Sequence, residues 1–128
     1  MTERQSYVVG GSLGLAAILL FWLLPKPQSY QLAAVLLALI AGVYSGFAFR
    51  DGRRIVVLIE NTVALGFCLV AVAGLWVDPI FLPAGYFAHG FWDLAHHRRG
   101  ISTEMPHWFV PFCVVFDWMV GAFLILWW

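Results

Sequence analysis

Five apolar segments, separated by short polar or proline-containing stretches, make up almost the whole chain and limit the folds open to it. Each segment is long enough to cross the roughly 30 Å hydrocarbon core of a bilayer as an α-helix. Because lipid leaves backbone polar groups without water, segments of this kind predict an all-α fold. We predict a single domain, residues 1–128, with transmembrane helices over 7–24, 32–49, 55–77, 80–97 and 108–128.

The composition supports a bilayer as the surroundings of this chain. Hydrophobic residues account for 62% of the sequence and charged residues for 11%, and the mean hydropathy is +0.87. A soluble domain is about one quarter charged, so this chain has too few polar residues to cover a water-facing surface. The net charge is zero and the basic residues are divided among short loops, which argues against a nucleic-acid partner.

Proline and glycine mark the ends and contacts of the predicted helices. Pro25 and Pro27 break the chain after the first segment, and Gly52 is the centre of a charged turn after the second. Gly10 and Gly14 form a G-x-x-x-G pattern in the first segment, which permits a neighbouring helix to approach closely.

The basic residues predict the orientation. With five spans and a cytoplasmic N-terminus, six of the seven basic residues fall on the cytoplasmic side and only Lys26 lies outside. This distribution follows the positive-inside rule and places the C-terminus outside. The alternative is a re-entrant fourth segment, which would move Arg98 and Arg99 outside and reduce the bias to four against three. The residues on the cytoplasmic side are Arg4, Arg50, Arg53, Arg54, Arg98 and Arg99.

The fourth segment carries most of the chemistry in the sequence. It contains three of the four histidines, and His89, Asp93 and His96 are spaced i, i+4, i+7, which puts them on one face of a helix. His97 lies about 80° round from that line. Ionisable groups within a membrane are costly and usually mark a function.

Two acidic residues in neighbouring segments are predicted to lie near this face. At about 1.5 Å of rise per residue, Glu60 lies about 8 Å from the cytoplasmic end of the third helix and Asp117 about 14 Å along the fifth. His89 lies about 12 Å deep, and Asp93 and His96 within about 6 Å of the same side. We therefore predict one polar cluster in the cytoplasmic half, formed by three helices.

Three interpretations of the cluster are open. In the first it is a metal site for iron, zinc or copper, with ligands from His89, Asp93, His96 and His97. The Asp93-x-x-His96 spacing has the i, i+3 relation of a carboxylate and a histidine found in di-iron helical bundles. Glu60 and Asp117 would then be further ligands or catalytic proton-transfer groups.

The other two interpretations need no metal. Intramembrane carboxylates and histidines also form proton relays in small ion-coupled carriers, although the outer half of these segments offers no polar residues to continue such a path. Hydrogen bonds between histidines and carboxylates can instead hold the helices together, as in an accessory or scaffold subunit.

The string His89-Gly90-x-Trp92-Asp93-x-x-His96-His97, followed by His107-Trp108, Pro111-Phe112-Cys113 and Asp117, resembles a family of small, uncharacterised bacterial integral membrane proteins. The resemblance implies a membrane fold, multi-pass in the bacterial inner membrane, and no assigned activity. Asp93-x-x-His96-His97 also resembles one histidine box of membrane desaturases and hydroxylases, with aspartate in place of the first histidine. That local resemblance implies a metal near lipid tails.

These observations lead to a hypothesis about function. We expect a small metal-dependent membrane enzyme, an oxidoreductase or a hydrolase, that acts on a lipid or another apolar substrate. Its partners are the bilayer itself and, by hypothesis, further copies of the chain or a larger membrane complex.

Overall fold

The computed structural model describes residues 1–98 and 103–127, and within them every regular element is an α-helix. This confirms the all-helical fold predicted from the apolar segments. The five helices are α1 (Glu3–Leu23), α2 (Lys26–Asp51), α3 (Arg54–Trp76), α4 (Phe81–Arg98) and α5 (Phe109–Trp127).

Four of the helices, α1, α2, α3 and α5, are long and apolar enough to cross a membrane. The 18-residue helix α4 is not among them, because its histidines and Asp93 lower its hydropathy. The protein therefore has the helices of a membrane protein, and its most polar helix is the one that carries the histidines.

The first two helices begin earlier than the predicted segments. α1 begins at Glu3, where the Thr2 side chain accepts a hydrogen bond from the backbone N–H of Gln5 in a capping box. α2 begins at Lys26, and Pro27 sits in its first turn, where a proline costs no hydrogen bond. The prolines therefore end α1 and also start α2. The last residue of the predicted fifth span, residue 128, lies outside the described residues.

Helices α2 and α4 each contact three other helices. α5 packs against α1 and α4, whereas α4 also contacts α2 and α3, and α2 packs along α3. One apolar core cluster lies toward the end of the bundle where α1 ends, and includes Phe21, Leu37, Leu82 and Leu124. Side chains on the outer faces of the bundle, such as Leu65 on α3, are apolar and exposed.

The G-x-x-x-G pattern lies at the contact between α1 and α5. A Cβ atom on Gly10 would collide with the backbone oxygen of Phe112, and one on Gly14 would lie 3.2 Å from the sulfur of Met119. The predicted close approach is thus confirmed, and its partner helix is α5.

Candidate buried polar site

The innermost polar group consists of His89 and Asp93 on α4 and Asp117 on α5, which we call the triad. The Nδ1 atom of His89 lies 2.6 Å from Oδ2 of Asp117 and 3.5 Å from Oδ2 of Asp93. All three side chains have no solvent exposure. The i, i+4 spacing on α4 brings His89 and Asp93 onto one face, and that face meets α5.

Tyr44 connects the triad to α2. Its hydroxyl donates a hydrogen bond to Oδ1 of Asp93, and its ring centroid lies 5.7 Å from that of His89 and 4.6 Å from that of His96. The side chain is 1% exposed. The hydroxyl fixes one oxygen of the Asp93 carboxyl and leaves Oδ2 on the side of His89.

A second polar group lies nearer the end of α4. It consists of Glu60 on α3 and His96 on α4, which we call the outer pair, together with Thr103. Nε2 of His96 lies 2.5 Å from Oε1 of Glu60, and the Thr103 hydroxyl donates to the same oxygen at 2.6 Å. Nδ1 of His96 lies 2.8 Å from the carbonyl oxygen of Trp92.

These contacts fix the protons of the outer pair. A carbonyl oxygen only accepts, so Nδ1 of His96 carries a proton and donates a hydrogen bond to the Trp92 carbonyl oxygen. Nε2 of His96 and Oε1 of Glu60 then need one proton between them to form their hydrogen bond. With that proton on either atom, the pair has no net charge, which suits its buried position.

The triad cannot balance its charges in the same way. Two ionised carboxylates and one imidazolium leave a net charge of −1, and a neutral imidazole leaves −2. Three atoms of the triad are buried and have no hydrogen-bond partner among the described residues: His89 Nε2, Asp93 Oδ2 and Asp117 Oδ1. Buried polar atoms are normally paired, so the triad has capacity for a proton, a water or a cation.

Aromatic side chains surround both polar groups. The Phe67 ring lies 4.9 Å from the His89 ring in an edge-to-face arrangement, and Trp92 stands in the same relation to His96. Phe109 and Cys113 on α5 are buried against Tyr44. A shell of this kind excludes water and strengthens every electrostatic interaction inside it.

The triad has a donor set suited to a metal ion. One nitrogen of His89 and one carboxylate oxygen from each aspartate all lie within 4.8 Å of one another. Two ligands on opposite sides of a transition metal are about 4.2 Å apart, since metal–ligand distances are about 2.0–2.2 Å. The three atoms are therefore close enough together to be ligands of one ion.

The family model of DUF6010, described as a family of unknown function, matches residues 5–127. The chain belongs to this family. No curated protein and no solved structure matches the chain.

In this member of DUF6010 the residues predicted from sequence fall into three places. His89, Asp93 and Asp117 come together in the triad, whereas Glu60 and His96 meet each other in the outer pair. The remaining predicted metal ligand on α4, His97, is exposed and belongs to neither group. The sequence thus indicated that α3, α4 and α5 contribute the polar residues, but it did not indicate that these residues form two separate groups.

Two residues of the site had no role in the prediction. Tyr44 is one of several polar side chains within the apolar segments, and its depth in the second segment is its available sequence signal. Thr103 lies after α4, where a threonine is ordinarily a loop or capping residue, so its contact with Glu60 has no local sequence signal.

Proposed function

We propose that this chain is a five-span membrane protein that binds one divalent transition metal ion through His89, Asp93 and Asp117. The observation that carries the proposal is the group of three fully buried donor atoms, contributed by α4 and α5, two of which belong to carboxylates with unpartnered oxygens. Such a set is expensive in an apolar protein interior unless it is neutralised.

Charge balance favours a divalent ion. With a neutral imidazole the two carboxylates carry −2, so one divalent cation makes the buried group neutral. Imidazole nitrogen and carboxylate oxygen suit iron, zinc and copper. Three protein ligands also leave coordination positions open, as in catalytic metal sites.

Tyr44 supports the ligand group from outside. Its hydrogen bond to Asp93 holds the carboxyl so that the other oxygen faces His89. Groups that orient metal ligands in this way commonly change metal affinity by 10–100-fold.

We further propose that the bound metal serves chemistry on a lipid or another apolar substrate. The open positions of the metal would bind a water or a substrate atom and polarise it. Glu60 and His96, which are hydrogen-bonded to each other between α3 and α4, would accept or supply a proton. Oxidation would require iron or copper, and hydrolysis would suit zinc.

The same proposal treats α4 as a span and keeps the N-terminus cytoplasmic. The polar residues that lower the hydropathy of α4 include His89 and Asp93, and both are buried within the bundle rather than facing lipid. The distribution of basic residues supports the orientation, since six of the seven lie on one side of five spans.

Metal analysis of the detergent-purified protein tests the proposal. We expect about one metal ion per chain in the wild type, and loss of that metal in His89→Ala and Asp117→Asn. His97→Ala is the matched control, because His97 is exposed on the same helix, and it should retain the metal. A well-folded wild type that stays far below one ion per chain after incubation with iron, zinc or copper would refute the metal site.

One observation favours a second candidate function. Each ionisable side chain of the two groups already has a hydrogen-bonded partner on another helix, including His89 with Asp117 and His96 with Glu60. Contacts of this kind can hold a scaffold subunit together without a ligand. A metal-free wild type whose His89→Ala variant loses thermal stability would support this structural function.

A further inference from the structure

The buried triad has no direct access from solvent. His89, Asp93 and Asp117 have no solvent exposure, so an ion can enter only if part of the protein moves. The segment Thr103–Pro106, which we call the strap, leads into the start of α5 beside the end of the bundle that carries the outer pair.

Two hydrogen bonds of the strap reach α2 and α3. The Thr103 hydroxyl donates to Glu60 on α3 at 2.6 Å, and this threonine is 7% exposed. The backbone N–H of Glu104 donates to Oδ2 of Asp51, at the end of α2, at 3.1 Å. The first contact is buried and the second is exposed, so the threonine contact is the more protected from water.

Met105 contacts both the aromatic cluster next to the triad and an open cavity. It packs against the cluster of Tyr44, Phe109 and Cys113 that borders the triad. It also lines a cavity of about 250 Å³, together with Arg50, Glu104 and Pro106. One half-buried side chain therefore touches both the cavity and the residues around the triad.

We propose that the strap is a gate, latched by Thr103 on Glu60, through which a metal ion passes from this cavity to the triad. This inference rests on the proposed function for the ion that enters, whereas the gate itself is a property of the fold. Opening requires the Thr103–Glu60 hydrogen bond to break and Met105 to leave the aromatic cluster. Because Glu60 also contacts His96, the latch and the outer pair share one carboxyl oxygen.

The accessibility of Cys113 tests the gate without any metal. Cys113 is a free thiol, 3% exposed, in the cluster against which Met105 packs. In a Cys68→Ala background it is the only thiol, so its reaction with a charged, water-soluble maleimide reports on opening. Thr103→Val removes the hydroxyl and keeps the side-chain shape. We expect about tenfold faster labelling in this variant, because the loss of one buried hydrogen bond raises the population of the open state by about that factor.

Two control variants separate gate opening from general loosening. Ser29→Ala removes another fully buried hydroxyl, which donates to the carbonyl oxygen of Phe21 at 2.6 Å where α1 meets α2. It should leave the labelling rate unchanged, and Thr103→Ser, which keeps the hydroxyl, should label as the wild type does. Equal acceleration by Ser29→Ala and Thr103→Val would refute the gate.

A further variant covers the case in which Thr103→Val does not fold. Met105→Ala removes the side chain that packs against the aromatic cluster and leaves the Thr103–Glu60 hydrogen bond in place. It should also accelerate labelling of Cys113. Folded Thr103→Val or Met105→Ala protein that labels within twofold of the wild-type rate would overturn the proposal.

Metal kinetics then connect the gate to the site. In protein loaded with Co²⁺, Thr103→Val should speed metal uptake and chelator extraction by similar factors and leave the dissociation constant unchanged. A gate confirmed by labelling in a protein that binds no metal would refute the proposed function and keep the gate. If the wild type binds metal but Thr103→Val leaves both the labelling rate and the metal exchange rate unaltered, the gate is refuted and the proposed function is kept.

Discussion

His89 on α4 and Asp117 on α5 meet at 2.6 Å through Nδ1 and Oδ2, and neither side chain is exposed. This contact joins α4 and α5 at the level of the buried site. It also gives each residue the partner that makes its burial tolerable, because an isolated charge in an apolar interior is far more costly than a paired one.

Substitution of Asp117 should separate the loss of this contact from the loss of charge. Asp117→Ala leaves His89 buried without its partner and should lower the free energy of unfolding by about 3–5 kcal/mol. Asp117→Asn keeps an acceptor for the His89 N–H and should cost much less. Unfolding in mixed detergent micelles, followed by circular dichroism, measures the difference.

The control for this prediction is Asp78, in the turn between α3 and α4, where its Oδ1 accepts from the exposed backbone N–H of Ile80. Asp78→Ala should cost about 1 kcal/mol or less. An Asp117→Ala variant as stable as Asp78→Ala would mean that the buried contact contributes little.

Tyr44→Phe should weaken metal binding more than it weakens the fold. The variant keeps the ring against His89 and His96 and removes only the hydrogen bond to Asp93. A hydrogen bond between membrane helices contributes about 0.6 kcal/mol on average and about 1.7 at most. We expect a stability loss in that range and a 10–100-fold lower metal affinity, measured by competition with a metal indicator.

Tyr86→Phe provides the matched control for Tyr44→Phe. The Tyr86 hydroxyl is equally buried and donates to the carbonyl oxygen of Ala33 at 2.6 Å, in the apolar cluster, and makes no hydrogen bond to a triad residue. It should lower stability by a similar amount and leave metal affinity unchanged. Equal losses of affinity in both variants would show that Tyr44 acts through general stability alone.

Much of the site was predictable because its residues lie on regular helices. The spacing of His89 and Asp93 gives their shared face, and the rise per residue puts His89 and Asp117 at similar depths. A charged side chain in an apolar segment also requires a partner, and the partners had to come from neighbouring helices. Those arguments were sufficient to bring together the residues that the structure places in the triad.

The division into two groups was not predictable from these rules. His96 lies on the same face of α4 as Asp93, but its Nδ1 contacts the Trp92 carbonyl and its Nε2 contacts Glu60. Depth and helical phase do not specify which of several nearby acceptors a ring nitrogen chooses. Thr103 was also beyond prediction, because its place depends on the path of the chain after α4.

Gly90→Ala tests the packing that sets the distance between α4 and α5. A Cβ atom at this buried position would collide with the indole nitrogen of Trp118 on α5. The helices would have to separate or the indole would have to move, and overpacking of this kind costs about 1–3 kcal/mol. We expect that loss in thermal stability measurements, with a parallel loss of metal affinity because His89 is the adjacent residue.

Gly42→Ala is the control for Gly90→Ala. An added Cβ at Gly42 on α2 meets no atom within 4 Å, so only helix propensity changes. It should leave the protein unchanged or more stable by up to about 1 kcal/mol. The double variant Gly90→Ala, Trp118→Phe should recover part of the loss, and a double variant with simply additive losses would contradict the proposed collision.

The position of the C-terminus decides whether α4 crosses the membrane. Five spans from a cytoplasmic N-terminus place the C-terminus outside, whereas a re-entrant α4 leaves four spans and returns it to the cytoplasm. Alkaline phosphatase fused after the last residue should therefore be active, and green fluorescent protein fused there should be dark. Fusions after Asp78, which follows α3, serve as the control, because both topologies put that turn outside. A fluorescent C-terminal fusion combined with an active phosphatase fusion at Asp78 would contradict the five-span topology and would move Arg98 and Arg99 to the outer side.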